Sequence, residues 1–117
     1  MEATINEKAM KAIGTYLERR GFEILESGWA HGTDGVDFIA REDGDLVFVV
    51  AEITEDRGDG FPEEKVDRAA LEKAATAYLA KSDGNADCAI RFDFVSMMVI
   101  RDSRAFLRHH RNCLSEA

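Results

Sequence analysis

A chain of 117 residues, 45% of them hydrophobic and 32% charged, has enough apolar surface for one buried core, which excludes a disordered or collagen-like polypeptide. Its 15 Lys and Arg stand against 23 Asp and Glu, a formal charge of −8. That average field repels phosphate and argues against non-specific DNA binding unless a local basic groove or a bound cation overrides it. Cys88 and Cys113 have no CxxC or Cys/His spacing, so free thiols in a reducing cytoplasm are expected. The opening MEATINEKAM has no apolar signal core, and no stretch approaches the ~18 to 20 apolar residues of a membrane span. A cytoplasmic protein without membrane contact is the expectation.

Ile5, Ala9, Ile13, Tyr16 and Leu17 recur at helical spacing, Thr4 or Asn6 can cap the start, and Gly21 sits where a helix stops. A first helix is predicted over roughly residues 5 to 20. Phe22, Ile24 and Trp29 predict a first strand; Val36, Phe38 and Ala40 predict a second after the break HGTDG. EDGD supplies an Asp-Gly turn, and LVFVVAEI from Leu46 is a continuous apolar run suited to a central strand buried on both faces. EDRGDGFPEE, with the single proline Pro62, predicts a loop. Val66, Ala70, Leu71, Ala74, Ala77 and Tyr78 then mark a helix over about residues 64 to 81, closed by SDGN. FDFVSMMVI reads as a strand and RAFLRHHRNCL as a terminal amphipathic helix. The order α-β-β-β-α-β-α, without repeats or linkers, predicts one α/β domain with a mixed central sheet flanked by helices.

Seven short patterns, in order, resemble the YraN-like family of predicted endonucleases, whose core is restriction-endonuclease-like. YLERRGFEIL is similar to that family's exit from the first helix, VDFIARED to the tail of its GEIDLIA motif, and LVFVVAEIT to its strand ending in EVK. GFPEE resembles its loop, AATAYLA the end of its second helix, RFDFVSM its RFDVVAI strand, and HHRNCL its terminal HxxNAF pattern. The resemblance implies the chemistry of the wider nuclease superfamily, written PD-(D/E)xK. There, acids on the second and third strands bind Mg²⁺ and a lysine two residues after the second acid helps activate water. Residues i and i+2 of a strand share a face, so acid and lysine can reach one metal-bound water, whose pKa the metal lowers.

Asp37 matches the aspartate of GEID and Glu52 the glutamate of EVK, so the resemblance makes Asp37 and Glu52 the expected ligands of a Mg²⁺ or Mn²⁺ ion, if one is held at all. The departures are as informative. The first acid of GEID falls on Gly35, the lysine of EVK on Thr54, and the usual first-helix glutamate on Met10. A threonine hydroxyl is far too weak an acid or base to replace lysine near neutral pH. Asp34, beside Gly35, is the candidate substitute ligand if the loop turns it inward. The second helix, lysine- and arginine-rich in the family, has Asp67, Ala69, Ala70 and Glu72 at those positions, which removes phosphate-neutralising charge.

Plainer readings stand beside these. Asp37 and Glu52 also read as polar strand-end residues in solvent, and His31 as a solvated loop histidine more readily than a substrate contact. His109 and His110 would point about 100° apart on a helix and cannot chelate one ion together, so one buried and one exposed is expected. Trp29 and the phenylalanines are assigned to the core, with no basic residues interleaved among them, and at most one of Met97 and Met98 is expected to face it. The leading expectation is a catalytically degenerate nuclease-fold protein retained for binding a protein or ligand partner, with nucleic-acid binding weak or absent. The alternative is a weak Mg²⁺-dependent endonuclease acting on DNA, with Asp37 and Glu52 as ligands and His31 or Asp34 compensating. A third reading is a regulatory module that forms homo-oligomers through exposed apolar residues.

Overall fold

The computed structural model describes residues 2–32, 34–55, 67–81, 89–101 and 104–114. Its elements are α1 (Glu2–Arg19), β1 (Glu23–His31), β2 (Asp34–Glu42), β3 (Asp45–Glu55), α2 (Arg68–Lys81), β4 (Ile90–Arg101) and β5 (Arg104–His110). The strands form one sheet in the order β1-β2-β3-β4-β5. The β3–β4 pair is parallel and the other neighbours are antiparallel. The expected order α-β-β-β-α-β is therefore present, in a mixed α/β sheet with a helix on either face, consistent with a restriction-endonuclease-like fold.

Each junction has a local cause. Ala9, Ile13 and Leu17 form the buried stripe of α1, and the helix closes with Phe22 N donating to Leu17 O and Gly21 N to Glu18 O. This paired closure needs a left-handed residue, and Gly21 supplies it at φ 95°. Asp43 and Gly44 both have positive φ, so EDGD makes the tight turn whose twist suits a hairpin and sets Glu42 opposite Asp45. The run from Leu46 occupies the middle of the sheet, as its composition predicts. Its residues alternate between two cores: Val47 and Val49 pack under α1 with Ile13, Leu17 and Phe38, while Leu46 and Phe48 pack under α2 with Leu71 and Ala74.

Four expectations are corrected. The segment read as a terminal helix is strand β5 followed by a turn through residues 111–114. Its inward row is Leu107 and His109; a buried histidine reads as polar in a sequence pattern, which concealed the strand alternation. Met97 and Met98 are both buried, so β4 is covered on both of its faces at this point. Phe106 is 57% exposed, between Arg104 and Arg108 on one strand face, so not every phenylalanine is core and basic residues do interleave with one. The helix predicted from about residue 64 begins at Arg68, because the Asp67 carboxylate accepts from Ala70 N at 3.1 Å and caps it. The predicted loop after Glu55, including GFPEE and Pro62, lies outside the described residues, as do SDGN and Cys88. Neither described helix is long and apolar enough to cross a membrane.

Candidate functional site

Strands β2 and β3 pair from the Asp43–Gly44 turn as far as Phe38 opposite Val49, whereas β3 continues beside β4 to Glu55 opposite Val99. The two strands part at Asp37. Val36 packs in the core under α2 and Phe38 in the core under α1, although residues two apart on a flat strand share a face; the β1–β2 ribbon therefore rolls over between them. Gly28 lies across from Asp37, between the pairs Ser27–Phe38 and Trp29–Val36. Its φ of 64° permits the roll at a backbone conformation that side chains disfavour.

Where β3 loses its neighbour, a main-chain donor needs another acceptor. The Asp37 carboxylate provides it, Oδ2 accepting from Ala51 N at 2.6 Å. Burial pushes the Asp37 carboxyl above its ordinary range, and the Ala51 N–H offsets part of that rise. Asp37 lines a cavity of about 360 Å³ with Met10 and Lys11 of α1, Ser27 and Gly28 of β1, and Phe38. Met10 stands where the family has its first-helix glutamate, and Lys11 beside it is a cation that the motifs do not mark.

Ala51 and Ile53 pack on the α1 side and Phe48 and Val50 on the α2 side, so strand alternation places Glu52 and Thr54 on the α2 side, in register with Ser96 and Met98 of β4. Asp37 is thus bonded to the residue before Glu52 while lining the cavity under α1. The Thr54 Oγ1 is buried with no hydrogen-bond partner, at the position where the resemblance calls for lysine. A Cβ on Gly35 would stand 2.9 Å from the Trp29 carbonyl oxygen, so the missing first acid is a position that the β1 main chain has closed. Asp34 begins β2 opposite His31; its suggested ligand role lies outside the described side chains. His31 is exposed and stacked on Trp29, with ring centroids 6.4 Å apart. Among the described residues no three His, Cys, Asp or Glu side chains group as a metal site would require. With Asp37 engaged by a main-chain amide and a hydroxyl in lysine's place, the described residues do not complete a two-acid-and-lysine set for a divalent ion.

A second polar cluster gathers the patterns RFD and HxxN. Asp93 is fully buried on β4. Its Oδ1 accepts from Arg91 Nε at 2.9 Å and from Asn112 N at 2.9 Å, and its Oδ2 lies 2.8 Å from His109 Nε2. Because a carboxylate only accepts, Nε2 is the donor, which in the neutral ring leaves Nδ1 to accept from the Tyr16 hydroxyl at 3.0 Å. Arg91 also donates to Glu42 at 2.7 Å, and Arg111 donates to the other Glu42 oxygen at 3.2 Å. Burial alone would raise the Asp93 carboxyl, but hydrogen bonds from His109, Arg91 and Asn112 hold it down at about 2. Glu42 is likewise lowered against its own burial by Arg111 and Arg91. Four elements, α1, β2, β4 and β5, and the terminal turn converge on this cluster. Its carboxylates, guanidinium and imidazole satisfy one another, so it reads as a fastening. His109 is inside and His110 outside, as expected, though by strand alternation and not by helix rotation.

The fold and the ordered motifs define an α/β protein of restriction-endonuclease-like architecture. A family model described as "Uncharacterised protein family UPF0102" matches residues 10–97, and the chain belongs to that YraN-like family. A UPF0102 protein of Roseiflexus castenholzii is 34% identical over 106 residues, covering 87% of this chain and 86% of its own length. One from Beutenbergia cavernae is 32% identical over 104 residues, covering 86% and 87%. Another, from Persephonella marina, is 33% identical over 86 residues, covering 71% and 73%.

Proposed function

We propose that this chain is a catalytically degenerate member of a nuclease superfamily, retained to bind a partner. The observation that carries this reading is Gly35: the first-acid position cannot accept a Cβ without moving the Trp29 carbonyl, so the loss is built into the packing of β1 on β2. Met10 and Thr54 point the same way. One presents a thioether to the cavity beside Asp37, and the other buries an unpaired hydroxyl where an ammonium is needed. Met10 can neither hold an ion nor relay a proton, and Thr54 cannot relay one near neutral pH. The described part of α2 adds little cationic surface at the positions compared, since Asp67 caps the helix and Glu72 lies 4.0 Å from Arg68. Duplex binding through that face should therefore be weak at physiological salt.

The test is cleavage of plasmid and flap DNA with Mg²⁺ or Mn²⁺ by the wild type and by Thr54→Lys. Both are expected near background, because a catalytic group acts only on a substrate already positioned. Robust wild-type cleavage abolished by Glu52→Ala would overturn the proposal and establish a weak metal-dependent endonuclease in its place.

A further inference from the structure

The cavity of about 360 Å³ beside Asp37 lies at the low end of the roughly 300–1,000 Å³ common for small-molecule sites. That size suits one small ligand. Met10 and Phe38 give it apolar walls, Gly28 adds no side chain to occupy it, and Asp37 and Lys11 bring opposite charges to it. Those two charges do not neutralise each other. Among the described residues Lys11 has no ion-pair partner, and the Asp37 carboxylate takes a single hydrogen bond, from Ala51 N to Oδ2, which leaves Oδ1 unclaimed. Lys11 is exposed on α1 and Asp37 half-buried on β2, so the ammonium is the outer charge and the carboxylate the inner one.

Unpaired charges select what completes them. A simple cation would meet Asp37 but leave Lys11 unmatched, a simple anion would do the reverse, and neither would cover the apolar walls. A divalent ion has no group of three His, Cys, Asp or Glu side chains to hold it among the described residues. A nucleoside phosphate would bring about two negative charges to a single lysine in a chain of net charge −8, whose field opposes it. A small zwitterion with an apolar body matches every wall. Its ammonium donates to Asp37, where loss of solvent strengthens a charge-assisted bond, and its carboxylate meets Lys11. Its side chain lies against the Met10 thioether and the Phe38 ring, both of which favour an aromatic partner.

We propose that the cavity between α1 and the β1–β2 ribbon binds a free α-amino acid with an apolar side chain, its ammonium on Asp37, its carboxylate on Lys11 and its side chain on Met10 and Phe38. This deepens the binding role proposed above by naming the partner, and rests on that reading only for a cavity not given over to catalysis.

The probe is 4-fluoro-L-phenylalanine, followed by fluorine NMR with the full-length protein in EDTA. Saturable line broadening with a Kd below about 1 mM is expected, reversed by unlabelled L-phenylalanine. 4-Fluorophenethylamine lacks the carboxylate and 3-(4-fluorophenyl)propanoate lacks the ammonium. Each should bind at least about tenfold more weakly, because each leaves one protein charge unpaired. Asp37→Asn keeps an acceptor for Ala51 N but removes the charge, and Lys11→Glu reverses the outer charge; each should weaken the probe at least about tenfold. Ser27→Trp, at an exposed position of the cavity wall, should block binding, whereas Lys73→Glu on α2 should leave it unchanged. Melting temperatures will show that the variants fold. If Asp37→Asn does not, Lys11→Glu and the two analogues decide the question without it. No binding up to about 10 mM would overturn the proposal. So would an analogue that binds as well as the amino acid, indifference to Lys11→Glu, or displacement of the probe by thymidine monophosphate at a lower concentration than by L-phenylalanine. Plasmid nicking by the same preparation would count against the loss of catalysis, while the amino-acid site stands or falls on the fluorine titration.

Discussion

The Asp93 cluster and the Asp37 site lie in the same sheet and both derive from family-like motifs, yet they have opposite polar accounting. Around Asp93 hydrogen bonds satisfy both carboxylate oxygens and both imidazole nitrogens. Around Asp37 the carboxylate repairs a strand separation, a threonine hydroxyl is buried without a partner, and a glycine is held by a neighbouring main chain. Buried polar groups with complete partners stabilise and specify a fold, whereas incomplete ones weaken it unless chemistry requires them. The first region therefore holds the molecule together. The second leaves its polar groups incompletely partnered, which is what the proposed loss of catalysis would leave behind.

This contrast breaks most sharply at Asp93. Asp93→Ala leaves Arg91 and His109 buried without their anion and should cost about 3–5 kcal/mol in urea or thermal unfolding. If the loss is within about 1 kcal/mol, the cluster is not a fastening. Acid offers a second route to the same carboxylate. Its folded pKa, about 2, lies below the ordinary 3.8, so its contribution is fully present above about pH 4 and fades as pH falls through the folded value. Denaturant titrations should lose about 2 kcal/mol over that window, and Asp93→Asn should lack the step. Gly35→Ala should cost about 1–3 kcal/mol as its methyl meets the Trp29 carbonyl; a neutral result would show the position to be open after all. Smallest is Thr54→Val. It removes an unpaired hydroxyl and should be neutral or stabilising by up to about 1 kcal/mol, while a clear loss would reveal that the hydroxyl has a partner.

Much of the sheet was legible because its elements carry local signals: Gly21 as a helix stop, Asp43–Gly44 as a hairpin turn, and Leu46 to Ile53 as a strand buried on both faces. β5 was not, since its inward row includes His109, whose burial depends on Asp93, 16 residues away in sequence, and Tyr16, 93 residues away. No window of sequence contains those partners. Resemblance located Asp37, Glu52 and Thr54, but the reason for Gly35 is a main-chain contact, and the presence of Lys11 beside Asp37 depends on how α1 lies on the sheet. The exposed Arg104–Phe106–Arg108 row was hidden by the same misreading that made β5 a helix.

The most direct test of the central claim is a Mn²⁺ titration of wild type beside Glu52→Ala, reading ion-dependent thermal stabilisation and plasmid nicking in the same samples. If the site is degenerate, the two proteins give superimposable stabilisation curves and both leave the plasmid intact. Saturable stabilisation and nicking in the wild type, both lost in Glu52→Ala, would contradict it.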